Sequence, residues 1–237
     1  MKDGVAQNRA ASKGMDMEVS DAVAARRSVR GFLDPPVDPG LLRDLAIRAA
    51  RAATGGNIQP WHVDIVTGEP MARLKALMAA KLAAGETEQP GYDIYPREMT
   101  DAHRARTFAV GEALYGHLNI PREDKAARRG WFARNFAFFG APAAYFVTID
   151  RRMGPPQWAD CGMFLQSLML LAVEAGLGTC AQEAWAVYPD TVERFLGTPA
   201  ERMVFCGLAI GIEDADDPAN RLRTDRAAAG EWLTTIS

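Results

Sequence analysis

The stretch "RRSVRGF", residues 26 to 32, sets cationic forks and a hydroxyl at alternate positions. In an extended chain successive side chains point to opposite faces, so Arg26, Ser28 and Arg30 share one face and converge. Two guanidinium forks beside a hydroxyl suit a phosphate, or the polar edge of a flavin, whose carbonyls and ring nitrogens need donors. A basic helix end complementing the macrodipole is the competing reading.

Three further stretches could join such a site. In "TGGNIQPWHVDIV", from Thr54, Gly55 and Gly56 let backbone approach a ligand closely, Asn57 and Gln59 offer amides, and Pro60-Trp61 would lock the segment onto the fold. A helix cap and turn, with Trp61 in the core, accounts for the same residues. "GLGTCAQEAW", residues 176 to 185, reads as a loop after a very apolar helix, fit to aim backbone N–H groups at a flavin ring, or as a plain connection with Glu183 in water. "NRLRTDR" brings Arg221, Arg223 and Arg226 into one short run, a pattern that also occurs on solvated faces.

Other chemistries lack their residues. His62, His103 and His117 fall at no metal-ligand spacing, and no GxSxG elbow, phosphate-binding Walker loop or GxGxxG motif is present. No side chain is marked as a catalyst and no metal is expected, so a reaction would fall to a cofactor. Cys161, Cys180 and Cys206 are odd in number without a CxxC pair, which predicts reduced, buried thiols. A net charge of −3 over 237 residues attracts neither nucleic acid nor an anionic membrane. Arg outnumbers Lys by 22 to 5, a coding bias for most of them. The most apolar stretch, "MFLQSLMLLAVEAG", is broken by Gln166, Ser167 and Glu174, and the first residues do not read as a signal peptide, so a cytoplasmic protein is expected.

These stretches must be positioned by elements whose periods are legible. After a polar arm at 1–16, "MEVSDAVAARRS" predicts a short helix with Met17, Val19, Val23 and Ala24 on one face. A second helix is expected from Pro39, with Leu41, Leu42, Leu45, Ala46 and Ala49 at helical spacing. "WHVDIVTG" alternates as a strand does, and "PMARLKALMAAKLAAG" is an amphipathic helix closed by Gly85. An irregular connection at 86–97 leads to helices near 99–116 and 122–135, then to the strand "AAYFVTID". The segment from Trp158 to Ala175 is apolar nearly all round, as in a helix buried in the protein or at a subunit contact. "YPDTVERFLG" reads as a short helix, "RMVFCGLAIGI" as a buried strand, and the tail has no clear period. One α+β domain over 17–237 follows, since no repeat or linker divides it.

In this order the segments strongly resemble the FMN-dependent nitroreductase family. The matching pieces are "RRSVRGF", "GGNIQPWHVDIV", "WADCGMFLQSLMLLAVEAGLGTC", "QEAW", "FCGLAIGI" and "NRLRTDR", and the "YP" and "NFAFFGAP" stretches look most like the nitrobenzoate and dinitroaniline branch. The resemblance implies a nitroreductase-like fold, a mostly antiparallel central sheet surrounded by helices in an intertwined homodimer, with noncovalent FMN at the subunit interface. By position, Arg26, Ser28 and Arg30, with Arg27 beside them, would serve the FMN phosphate, ribityl and pyrimidine groups. Thr54, Gly55 and Asn57 would come from the partner chain. Glu183 and Ala184, with Gln182 adjoining, match the backbone contacts near flavin N5, and Arg226, with Arg223 as second candidate, matches the phosphate-binding residue of the tail.

Two departures stand out. Many family members have Pro-Ser-Ser where this chain has Ala53-Thr54-Gly55, and the usual tail Lys-x-Arg reads Thr224-Asp225-Arg226. Residues 86–140 would form a helical extension over the pocket. The implied activity is NAD(P)H-dependent reduction of nitroaromatic compounds, small aromatic acceptors, by ping-pong hydride transfer through flavin N5. Quinone or enone reduction on the same fold, and flavin binding without turnover, are the alternatives.

Overall fold

Two apolar strands carry the architecture of the computed structural model, which describes residues 17–236; the arm at 1–16 lies outside the described residues. These are β2 (Ala143–Asp150) and β4 (Arg202–Gly211), the inner pair of a four-stranded antiparallel sheet. β1 (His62–Thr67) flanks β2, and β3 (Gly178–Gln182) flanks β4. Alternation along β2 sends Ala144 and Phe146 to one face and Tyr145, Val147 and Ile149 to the other, and all five are fully buried.

Each face has its own helical cover. On the Tyr145 face lie α2 (Pro39–Ala49), with Leu42, Leu45 and Ala49 inward, and α6 (Pro155–Glu174), with Phe164 and Leu168 inward. Burying each large side chain contributes about 1.5–3 kcal/mol. α2 starts where expected because Asp38 accepts the N–H groups of Gly40 and Leu41 at 3.2 and 3.1 Å, and Pro39 tolerates the first turn. On the Phe146 face lie α3 (Gly68–Ala83), α5 (Lys125–Ala133) and a 3-10 segment, Arg134–Gly140, whose Phe136, Phe138 and Phe139 are buried.

Two expectations need correction. The helix α1 (Val19–Ala25) forms, but only Ala22 is buried, while Val19 and Val23 remain 74% and 53% exposed. Seven residues cannot bury two faces, and the small Ala22 is the side that meets the chain's own core. Residues 176–185 are not one loop: Gly178–Gln182 is β3, followed by a 3-10 turn, Glu183–Val187. Its small residues lack a strand's alternation, so the strand owes its existence to pairing with β4 and to the bridge between Thr179 and Ser28. α4 (Asp101–His117) and α7 (Pro189–Leu196) complete the helices, and no residue of α4 is fully buried.

Candidate functional site

Beyond α1 the chain runs extended, and Val29 N–H donates to Thr179 O at 2.8 Å. That course places Arg26, Ser28 and Arg30 along a cleft of about 850 Å³, which Arg223 and Arg226 of the tail also line. Val110 of α4 and Gln166 of α6 border it. Among the described residues, Arg26, Arg30, Arg223 and Arg226 have no salt bridge. The guanidiniums of Arg30 and Arg223 donate only to backbone carbonyls, and that of Arg226 to Thr224 and to Asp225 O. Arg27 touches the same cleft, but its guanidinium is held by both oxygens of Glu213 at 2.5–2.6 Å.

A residue that the sequence reading passed over joins the two ends of this site. Asn220 is buried; its Oδ1 accepts Arg30 N–H at 2.7 Å, and its Nδ2 donates to Gly31 O and Asp214 O, each at 2.8 Å. The available signal was the turn-forming "DDPAN", in which Asp217 accepts Ala219 N–H at 2.9 Å to start the 3-10 turn Pro218–Arg221. Gly31 must be glycine here, since a Cβ would lie 2.3 Å from the Asp217 carboxylate.

The segment at 54–59 forms a separate exposed loop. Gly56, Asn57 and Gln59 adopt φ of 58°, 58° and 51°, the left-handed region. For the two non-glycine residues this costs on the order of 1–3 kcal/mol each. The anchor is Asp160 of α6, a second residue absent from the sequence reading: its Oδ2 accepts the Thr54 hydroxyl at 2.8 Å and Gly55 N–H at 3.2 Å. As expected, Trp61 locks the loop, stacking on Phe164 at 5.3 Å, with Pro60 buried. Thr54, Gly55 and Asn57 do not line the arginine cleft of their own chain.

Nor do Gln182, Glu183 and Ala184, which stand at the far end of β3. Thr179 flanks Ser28, so three residues of strand carry Gln182 about 10 Å along from it. Gln182 is buried, with Nε2 donating to Asn135 O at 2.8 Å and Oε1 unpartnered among the described residues. Trp185 seats the following turn. It lies against Gly207, where a Cβ would come 2.3 Å from its ring, and stacks on Phe138 at 4.6 Å. Phe138 and Phe139 both take left-handed φ, 52° and 53°, an outlier for bulky residues that aromatic packing holds in place, Phe138 against Trp185 and Phe146 and Phe139 against Trp131. Glu183 is left exposed and Ala184 half-buried.

The model of the nitroreductase family matches residues 23–212. This chain belongs to the nitroreductase family. It is 35% identical over 207 residues to a 4-nitrobenzoate reductase of Pseudomonas putida, covering 87% of this chain and 90% of that one. A nitrobenzene nitroreductase of Ectopseudomonas oleovorans is 33% identical over 219 residues, 92% of this chain and 96% of its own. Among solved structures, the FMN and NADPH-dependent nitroreductase NfnB from Sphigopyxis sp. strain HMH superposes with a TM-score of 0.90 at 48% identity, covering 93% of this chain and all (100%) of that one.

In this nitroreductase-family chain the three cysteines are unpaired and buried, as the sequence predicts. Burial pushes the Cys180 thiol up to about 11 and Cys161 up to about 12. No described helix is long and apolar enough to cross a membrane.

Proposed function

We infer that the chain is an oxidoreductase that binds FMN noncovalently and uses NAD(P)H to reduce nitroaromatic compounds. The observation that carries this reading is the arginine cleft: four guanidiniums without carboxylate partners among the described residues, in a chain that superposes on an FMN and NADPH-dependent nitroreductase at 48% identity. Unpaired guanidiniums gathered on one cleft call for an anion, and its volume of about 850 Å³ falls in the range of ligand sites, about 300–1,000 Å³. The donor set therefore fits FMN.

In this reading Arg26 and Arg226, with Arg223, hold the phosphate through charge-assisted bonds, and Ser28 serves the ribityl chain. Arg30 would hold the pyrimidine edge, where its charge would favour electron density on the ring. The turn at Glu183-Ala184, seated by Trp185, orients the ring through backbone groups, with Gln182 behind it. When bound, FMN would supply the redox chemistry between the nicotinamide donor and the nitroaromatic acceptor.

We read Thr54, Gly55 and Asn57 as the contribution of a second copy. The exposure of Gly55 and Asn57, the absence of all three from the cleft of their own chain, and the uncovered Val19 and Val23 support a homodimer. The Thr54 hydroxyl is committed to Asp160, so the loop would act through backbone and the Asn57 amide. Val110 at the cleft edge supports the reading of 86–140 as an extension over the pocket, and the reduced thiols support a cytoplasmic location.

The test is the visible spectrum of purified protein and its response to NADPH and NADH under anaerobic conditions. Yellow protein is expected, bleached by a nucleotide and reoxidised faster by a nitrobenzoate than by quinone or enone acceptors. Colourless protein that fails to take up FMN overturns the reading, and faster reoxidation by quinone or enone reassigns the acceptor. A flavin that neither nucleotide bleaches leaves a binding protein without turnover.

A further inference from the structure

A second cavity, of about 870 Å³, lies between α5, the C-terminal ends of α3 and α4, and the start of α7, and shares no lining residue with the arginine cleft. Its floor is aromatic. Phe136 meets Tyr188 edge-on at 5.0 Å and Phe132 at 6.0 Å, and Tyr115 adds a fourth ring. Phe132 is 49% exposed, an apolar ring left open at the mouth. Such a surface receives another flat ring in edge-to-face or offset contact.

The rim is cationic and unbalanced. Arg128 is neutralised by Glu112 at 2.8 Å and lies over Tyr115, 4.1 Å from its centroid. Lys125 and Arg129, one turn apart on α5, line the cavity and make neither a salt bridge nor a side-chain hydrogen bond among the described residues. Like charges four residues apart on a helix repel, and an anion between them removes that repulsion. Of the two acids just before α5, Asp124 is occupied in capping Ala127 N–H at 2.8 Å, and Glu123 is exposed.

We propose that this cavity binds a small aromatic carboxylate, its ring against Phe132, Phe136 and Tyr188 and its carboxylate between Lys125 and Arg129. The volume leaves room for a molecule larger than this, so size does not exclude it. Phe136 also packs edge-on against Trp185 at 5.4 Å, so an occupant touches the ring beside the indole that seats the Glu183–Val187 turn.

The experiment is calorimetric titration of purified protein, as isolated, with 1-naphthoate, with the neutral 1-naphthamide, and with inorganic phosphate. Saturable binding of naphthoate is expected, one per chain, and undisturbed by phosphate. Affinity should fall about tenfold or more for the amide and in the Lys125→Ala/Arg129→Ala variant. Arg97→Ala, which removes an exposed arginine outside the cavity, should bind as the parent does. Both replaced rim residues are exposed, so the fold is not at risk. Naphthoate that does not saturate, that yields to phosphate, or that binds the double variant as tightly as the parent overturns the proposal. The readout is binding alone, so its failure leaves the reductase reading intact, and colourless protein would sink that reading without touching this one.

Discussion

The hydroxyl of Thr54 donates to the buried carboxylate of Asp160 at 2.8 Å while accepting Gln59 N–H at 3.0 Å. One carboxylate thus holds both the start of the exposed loop and, through Thr54, its close. Hydrogen bonds to charged groups contribute about 1.5–3 kcal/mol, so Asp160→Ala should lower the unfolding free energy by about that much in urea titration. Asp160→Asn keeps an acceptor oxygen and should recover part of it. An unchanged midpoint in the alanine variant would show that Trp61 on Phe164 holds the loop alone.

Arg26→Ala or Arg226→Ala should weaken FMN binding by roughly 1.5–3 kcal/mol, the scale of a hydrogen bond to a charged partner. Riboflavin lacks the phosphate, so parent and variant should bind it almost equally. Fluorescence titration with both flavins checks this. Equal losses for the two would place the phosphate elsewhere.

Dimerisation and flavin binding should be linked. If the 54–57 loop completes the neighbour's site, FMN favours the dimer by the same free energy that the dimer lends to FMN. Dilution followed by sedimentation should show the apoprotein dissociating at higher concentration than the loaded protein. Asn57→Ala should loosen FMN and leave the fold intact. A monomer that keeps one FMN per chain would return the loop to the status of a helix cap and turn.

Glu88 should govern acid stability. It accepts Thr191 N–H at 3.2 Å and the Thr191 hydroxyl, and it pairs with Lys81 at 3.1 Å, tying the 86–97 connection to α7 and α3. Burial alone would raise its pKa, but the bonds from Thr191 and Lys81 outweigh it and hold the carboxyl below its ordinary 4.5. A carboxyl depressed on folding stabilises the native state above its unfolded pKa, and that contribution is lost as pH falls through the folded value. The stability gap between parent and Glu88→Gln should therefore be constant near neutrality and shrink below about pH 4.5. A gap that persists at about pH 3 would assign the effect to packing.

The thiols should be inert in the folded protein. Thiolate is the reactive form, and burial holds Cys180 and Cys161 near 11 and 12 and raises Cys206 further still. A colorimetric disulfide reagent at neutral pH should label none of the three before denaturant is added and all of them afterwards. Prompt labelling of native protein would mean that one of them is reachable.

The elements with strong periods were legible in the sequence. β1, β2, β4 and the inward residues of α2 follow from apolar spacing, and Arg26, Ser28 and Arg30 line one cleft, which Arg27, Arg223 and Arg226 also reach. What escaped depends on partners far along the chain. β3 is a strand because β4 and Ser28 pair with it, and Asp160 and Asn220 matter because of groups 106 and 190 residues away. The left-handed Phe138 and Phe139 have no local sequence cause either; Phe138 packs on Trp185 and Phe146, and Phe139 on Trp131.

The Asn220 clasp also dates the site during synthesis. Arg30 and Asn220 are separated by 190 residues, and every one between them must leave the ribosome before the cleft can close around an anion. If this cleft is the flavin site, cofactor capture is among the last acts of folding. A chain halted after β4 would hold all four strands yet lack Asn220, Arg223 and Arg226, and with them one wall of the cleft.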